Sequence, residues 1–280
     1  MRDITKKIQI SLGKIKSVEE LPDARPWSTT WRIVLEDSRV VYLKRNPRTR
    51  HEAEITKRLN DLAPEMIPRV LMDDVDPSNS ECWFVLEDVG NSLLKDKHTT
   101  TKQLQKITFT IGSLQRKIAD SGLKLNVPDL SPDTLETIIE TETKWAKKER
   151  FNPRRLKELT PTLNLLPSTI LHGDFEVGNI AYTENAVRFI DWADALWGPP
   201  ATVLIKLSDR EAQSWDDSVL AAYSRGLGQS LPIGYVEACK VVGVIMDIVV
   251  DAQMARSVGR GPSSLPALTA NFERLISLVK

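Results

Sequence analysis

The chain is short of cysteine, of net charge and of long apolar runs, and each shortage removes a class of protein. Two cysteines, Cys82 and Cys239, cannot build a disulfide framework. Both lie among apolar neighbours and are expected as reduced, buried thiols. The 38 basic residues are balanced by 38 acidic ones, so there is no electrostatic footprint for nucleic acid or for an anionic membrane surface. The most apolar stretch, Tyr235 to Ala255, carries Glu237, Lys240, Asp247 and Asp251. It is expected as a buried helix rather than a membrane span. Met1 to Ile10 is too polar for the apolar centre of a signal peptide. A Gly-x-x-x-x-Gly-Lys-Ser/Thr loop is absent, which argues against a P-loop enzyme. A reducing, cytoplasmic setting with no nucleic acid and no membrane partner is expected.

What is present is ordinary globular composition, with 41% hydrophobic and 27% charged residues over 280 positions. That length suits one large domain or two lobes. The first ninety residues read as strands plus one helix. Trp31 to Leu35 and Val40 to Leu43 alternate around a polar "EDS" turn, a hairpin. Ile55, Leu59 and Leu62 mark a helix, and a strand near Val70 and another from Cys82 to Leu86 follow, with a turn at Pro77 to Ser80 between them. Val89-Gly90-Asn91 reads as a linker. Beyond it helical patterns dominate. One helix starts at a threonine cap and ends near Gly122, and another follows Ser131-Pro132-Asp133. Further helices are expected over Ser208 to Gly226, Gly234 to Ser257 and Ser264 to Val279. The acidic series Glu136, Glu140, Glu142 reads as a solvated face. The expected organisation is α+β, with a small β-rich lobe over 1–90 and a larger, mostly helical lobe over 91–280.

One segment interrupts the helical half. "LHGDFEVGNIAYTENAVRFIDW", residues 171 to 192, holds two short strands joined by "TENA". It places Asp174, then Asn179 five residues on, then Asp191 at the end of the returning strand. Carboxylate and amide oxygens are hard ligands suited to Mg²⁺, and one carboxylate can instead orient or deprotonate a hydroxyl. Phosphoryl transfer needs these parts together with a lysine on the phosphates.

"HGDFEVGNI" followed by "FIDW" resembles the core of the aminoglycoside phosphotransferase and choline kinase family. The resemblance implies a bilobal, protein-kinase-like fold and a Mg²⁺-dependent transfer from ATP or GTP to a hydroxyl of a small molecule. It implies Asp174 as the catalytic carboxylate, Asn179 and Asp191 as metal ligands, and His172 as a brace of the catalytic loop. Lys44, at the end of "VVYLK", would hold phosphate oxygens, and Glu52 is placed to pair with it. Glu87 to Val89, in "WFVLEDVG", would present hinge backbone to the purine. The phosphate-covering loop, "DARPWSTTWRI", has no glycine, and Ser28, Thr29 and Thr30 are its candidate donors. Two departures stand out. Ile118 occupies the place of a helix-end histidine, and "WGPPATVLIKL" lacks two aspartates that brace the family's core.

For the acceptor, Trp192, Asp194 and Trp197 follow the metal aspartate, and Asp247 and Asp251 share one helix face. Aromatic faces with carboxylates suit an amino-bearing ligand: an amino sugar, an aminoglycoside-like antibiotic or an amino alcohol. Two other readings stay open, a divergent protein kinase and a nucleotide-binding pseudokinase acting as a partner protein. No heptad pattern is present, and a monomer or weak dimer is expected.

Overall fold

The computed structural model describes residues 2–22, 28–46, 49–75, 82–90, 99–142, 154–211, 216–257, 259 and 266–278. The fold is α+β. It divides into two compact units, Met1–Ser92 with Arg188–Ala193, and Leu93–Val187 with Asp194–Lys280.

The first unit opens with helix α1 (Arg2–Leu12) and strand β1 (Ile15–Glu20). Then come β2 (Thr29–Leu35), β3 (Val40–Arg45), helix α2 (Thr49–Leu62), β4 (Val70–Asp74) and β5 (Trp83–Glu87). The five strands make one antiparallel sheet in the order β1-β2-β3-β5-β4. In β2 the alternation expected from sequence holds, with Trp31, Ile33 and Leu35 buried and their neighbours only half-buried. These three join Val41, Leu43, Trp83 and Val85 in a cluster that Ile4 and Ile8 of α1 complete. Helix α1 is an addition to the sequence reading. Its stretch is largely polar, and two isoleucines one turn apart are its main hold on the core. Helix α2 packs against β4 and β5 and buries Ala53, Ile55 and Leu59.

The segment Arg188–Ala193 belongs to this unit through named contacts. Arg188 pairs with Glu87 at 3.0 Å, and the Phe189 N–H donates to Met66 O at 2.9 Å. Trp192 is fully buried, its indole N–H donating to Phe189 O at 3.2 Å. Trp192 is therefore a core residue, not part of an acceptor wall.

The second unit begins with α3 (Thr101–Ser121), α4 (Leu135–Glu142) and α5 (Arg154–Leu163). The Thr100 hydroxyl accepts from the Gln103 N–H and the Gln103 side chain accepts from the Thr100 N–H, a capping box, while Gly122 closes α3 in the left-handed region at φ 65°. Strands β6 (Thr169–Leu171) and β7 (Ile180–Tyr182) follow. A turn closed by the Thr183 N–H on Ala186 O joins β7 to β8 (Val187–Phe189), whose last two residues lie in the first unit. Strand β9 (Leu196–Gly198) pairs antiparallel with β6. Helices α6 (Thr202–Glu211), α7 (Asp217–Leu227), α8 (Tyr235–Ser257) and α9 (Pro266–Leu278) complete the unit. Helix α8 is apolar nearly all round and packs against α4, α5, α6 and α9, as its sequence implied.

Some surface readings change. Glu142 pairs with Arg256 at 2.6 Å and Glu136 with Lys157 at 2.9 Å, and of that acidic series only Glu140 is an exposed residue. Cys239 is buried as expected, but Cys82 is only half-buried. The expected turn at residues 77–80 and the linker residue Asn91 lie outside the described residues.

Helices α3 and α7 touch through glycines. A methyl on Gly226 would sit 2.1 Å from Phe109 O, and one on Gly112 would sit 2.7 Å from Tyr223 O. Both neighbours are backbone and cannot step aside as a side chain would. Gly226→Ala is expected to destabilise the fold by about 3 kcal/mol, the upper end for overpacking. Denaturant unfolding checks it, and a change below about 0.5 kcal/mol would show that the helices slide apart freely.

Candidate active site

Strand β3 carries Lys44 away from the side that Leu43 buries. Its ammonium lies 2.7 Å from Glu52 Oε1 and 2.8 Å from Asp191 Oδ1. Glu52 sits in the first turn of α2, where a carboxylate suits the helix dipole. It is fully buried, and its second oxygen accepts from Asn46 Nδ2 at 2.7 Å. Asn46 was not singled out from sequence. It lies two residues past Lys44, and an Asn just beyond a strand carries no signal of its own. Asp191 has φ 65°, a left-handed backbone that non-glycine residues seldom adopt. Backbone strain of this kind gathers at functional sites.

Three charged groups thus share one place, with one cation between two carboxylates. Burial opposes the charge of Lys44, but Asp191 and then Glu52 outweigh it and hold its pKa above the ordinary value. Burial pushes Glu52 up to about 7, against the pull of Lys44 and with Asp191 adding to the rise. The folded state then binds the Glu52 proton more tightly than the unfolded chain, whose ordinary value is 4.5. Stability from this group is full below about 4.5 and is lost as pH rises to about 7. Glu52→Gln is expected to flatten the pH dependence of unfolding free energy across that window. An unchanged slope would show Glu52 to be ionised throughout.

The other nucleotide candidates are also in the first unit. Residues 23–27 of the glycine-free loop lie outside the described residues. Ser28 is half-buried just before β2. Thr29 and Thr30 belong to β2 itself, paired with Arg45 and Lys44. Glu87 is committed locally: its N–H donates to Arg69 O, and its carboxylate takes the Arg69 N–H and Arg188. Val89 is half-buried in a turn closed by the Gly90 N–H on Asp88 Oδ1.

In the second unit, β6 runs directly into His172-Gly173-Asp174. Gly173 has φ 75°, and a methyl there would lie 1.8 Å from Asp194 O, so glycine is required on both counts. His172 is buried with its ring 5.9 Å from Phe175. Asn179 Nδ2 donates to Asp174 O at 2.9 Å and to Asp174 Oδ2 at 3.1 Å. Asp174, Asn179 and Asp194 are each at most 9% exposed. Asp194 lies buried against Gly173, whereas Trp197 is half-buried.

Asp247 and Asp251 are on one face of α8. Asp247 forms an ion pair with Lys206 of α6, and Asp251 Oδ2 accepts from Asn271 at 3.1 Å. Burial and then Asp247 raise the Asp251 pKa; burial works against Lys206, but Asp247 outweighs it and raises that pKa as well. The Asp174 carboxylate is close enough to act on both. Lys206, Asn271 and the buried Gln115 of α3 were not found from sequence, because each acquires its meaning from a residue on another helix or strand.

Among the described residues no three His, Cys, Asp or Glu side chains gather as a metal cluster. Asp191 in the first unit and Asn179 in the second each carry a hard oxygen of the kind Mg²⁺ takes when substrate phosphates supply further ligands. They fit that ion chemically. Among the described residues no helix is long and apolar enough to cross a membrane.

The chain resembles several known proteins. Among curated proteins, N-acetylmuramate/N-acetylglucosamine kinase of Neisseria meningitidis serogroup B is 26% identical over 191 residues, 60% of this chain and 54% of the relative. The chain spans about half the length of that relative. The fold is shared with choline kinase LicA from Streptococcus pneumoniae, with TM-score 0.64, 13% identity, and 99% of this chain and 98% of that one covered. It is shared also with a spectinomycin phosphotransferase solved with ADP and spectinomycin, with TM-score 0.61, 13% identity, and 99% and 97% covered. The profile of the phosphotransferase enzyme family, APH, matches residues 21–238. The chain belongs to that family.

Proposed function

We propose that this protein is a small-molecule kinase that moves the γ-phosphoryl group of ATP or GTP to a hydroxyl of an amino sugar. The observation that carries the reading is the Lys44 ammonium held at 2.7 Å from Glu52 and 2.8 Å from Asp191. A buried, fixed cation of this kind neutralises phosphate oxygens without moving. Asp174 orients the acceptor hydroxyl. As that oxygen bonds to the γ-phosphorus, the bond to the β-phosphate oxygen breaks, nucleoside diphosphate leaves, and the hydroxyl proton passes to the Asp174 carboxylate. Asn179, whose amide N–H groups hold Asp174, keeps that carboxylate in one orientation. Asp191 and the Asn179 amide oxygen would hold Mg²⁺, which when bound neutralises charge developing on the phosphates. Backbone of Glu87 to Val89 would meet the purine, and Ser28 and Thr29 would lie toward the phosphates.

The amino-sugar acceptor is supported by the named activity of the curated relative and by the polar groups near Asp174. Lys206 offsets the charge of Asp247, which argues against a polycationic acceptor and for a hydroxyl-rich, N-acylated one. Asp194, Trp197, Asp247 and Asp251 are the proposed acceptor-side residues. Nucleotide use is supported by the ADP complex of the spectinomycin phosphotransferase. A protein that acts alone, as monomer or weak dimer, in the cytoplasm completes the reading. The test is coupled nucleoside-diphosphate release with N-acetylated amino sugars, free amino sugars, choline and aminoglycosides, with Mg²⁺ and with chelator. Release with an N-acetylated amino sugar and Mg²⁺ is expected. Mg²⁺-dependent nucleotide binding without release on any acceptor would favour a nucleotide-binding partner protein instead.

A further inference from the structure

The Asp174 loop hangs from a two-stranded ribbon, and the side chain that fixes the ribbon is remote in sequence. Strand β6 pairs with β9 at Thr169 with Gly198, Ile170 with Trp197 and Leu171 with Leu196. Gln115 of α3 is fully buried beside it. Its Nε2 donates to Ile170 O at 3.0 Å and to Pro200 O at 3.1 Å, so one amide ties β6 to the chain just past β9. Its backbone carbonyl accepts from Thr169 Oγ1 at 3.2 Å. Its Oε1 accepts from Tyr223 Oη of α7 at 2.6 Å.

That last bond settles the amide's orientation. A primary amide turned over would set its oxygen against two carbonyl oxygens and leave buried groups unsatisfied. A tyrosine hydroxyl donating to Oε1 holds the NH₂ toward Ile170 and Pro200. Burial raises the Tyr223 pKa well above its ordinary value, so the hydroxyl keeps its proton. Little slack remains between the clamp and Asp174. Leu171 is buried, His172 is buried against Phe175, and Gly173 is pressed on Asp194 O. Ile118, which stands in the place of the helix-end histidine, is fully buried.

We propose that Gln115, locked in orientation by Tyr223, is the positioning residue of the Asp174 loop. Its role in turnover rests on the reading of Asp174 as the carboxylate that meets the acceptor hydroxyl. Tyr223→Phe removes one hydroxyl and keeps the ring, and Gln115→Met keeps the side-chain length without donors. Each is compared with wild type by hydrogen–deuterium exchange of peptides covering 169–175 and 29–45, and by kcat and KM for acceptor and nucleotide. Tyr223→Phe is expected to speed exchange in 169–175 and leave 29–45 unchanged. It is expected to lower kcat by about tenfold to a hundredfold, the range for a displaced catalytic group, with both KM values within about twofold. Adding Gln115→Met to Tyr223→Phe is expected to cost no more than Gln115→Met alone, because the two act as one device. Unchanged exchange in 169–175, or kcat falling only in step with global stability, overturns the proposal. The two failures are distinguishable. A wild-type protein that transfers no phosphate defeats the kinase reading, while exchange in 169–175 still decides whether Gln115 and Tyr223 hold the loop.

Discussion

Asp174→Ala is expected to lower phosphate transfer by about a thousandfold, within the range for loss of a positioned base, while nucleotide still stabilises the protein against heat. Alanine is the informative substitution. Asn179 keeps its bond to the Asp174 backbone oxygen at 2.9 Å, so that tie of the loop remains when the carboxylate goes. Asparagine at 174 would keep an acceptor oxygen for the Asn179 NH₂ and leave a polar amide at the acceptor hydroxyl, so it removes less of the proposed role. The measurement is kcat in the coupled assay beside a nucleotide thermal shift on the same sample. More than a tenth of wild-type turnover in Asp174→Ala would remove Asp174 from the chemistry.

The second large effect is on stability. Lys44→Met removes the only positive charge between Asp191 and the fully buried Glu52 in this trio. Breaking a buried ion pair from one side costs about 3–5 kcal/mol, most of it the desolvated charge left behind. The double variant Lys44→Met with Glu52→Gln is expected to recover most of that loss, since a neutral amide can still accept from Asn46 and no longer faces Asp191 as a charge. Activity is not expected to recover, because no cation then meets the phosphates. Urea unfolding of the two variants, with turnover measured in parallel, separates the effects. A double variant as unstable as Lys44→Met would place the cost in lost packing of the lysine stem.

The fold class was legible because its signals are local. Trp31, Ile33 and Leu35 alternate, Thr100 and Gly122 bound α3, and Tyr235 to Ser257 is apolar enough to name itself as a central helix. Helix α1 was missed because Ile4 and Ile8 are its main buried side chains in a polar stretch. Strand β1 shows one partly buried residue in six and has no pattern to read.

In the candidate site, Lys44 and Glu52 could be paired in advance because eight residues and one strand-to-helix connection separate them. The groups that hold the rest cannot be read that way. Gln115 meets Tyr223 108 residues on, Lys206 meets Asp247 on another helix, and Arg256 reaches back 114 residues to Glu142. An amide, a lysine or an arginine inside a helix looks the same in sequence whether it faces water or a buried partner. For that reason the ion pairs of Glu136 with Lys157 and of Glu142 with Arg256 did not show in the acidic face, and Trp192, one candidate for the acceptor side, is a core residue.

The most direct measurement is phosphorus NMR of an N-acetylated amino sugar incubated with wild-type protein, Mg²⁺ and ATP, and with GTP in parallel. A sugar phosphate ester that forms with wild type and not with Asp174→Ala is the predicted result. Inorganic phosphate as the sole product, or an ester formed equally by Asp174→Ala, would contradict the account.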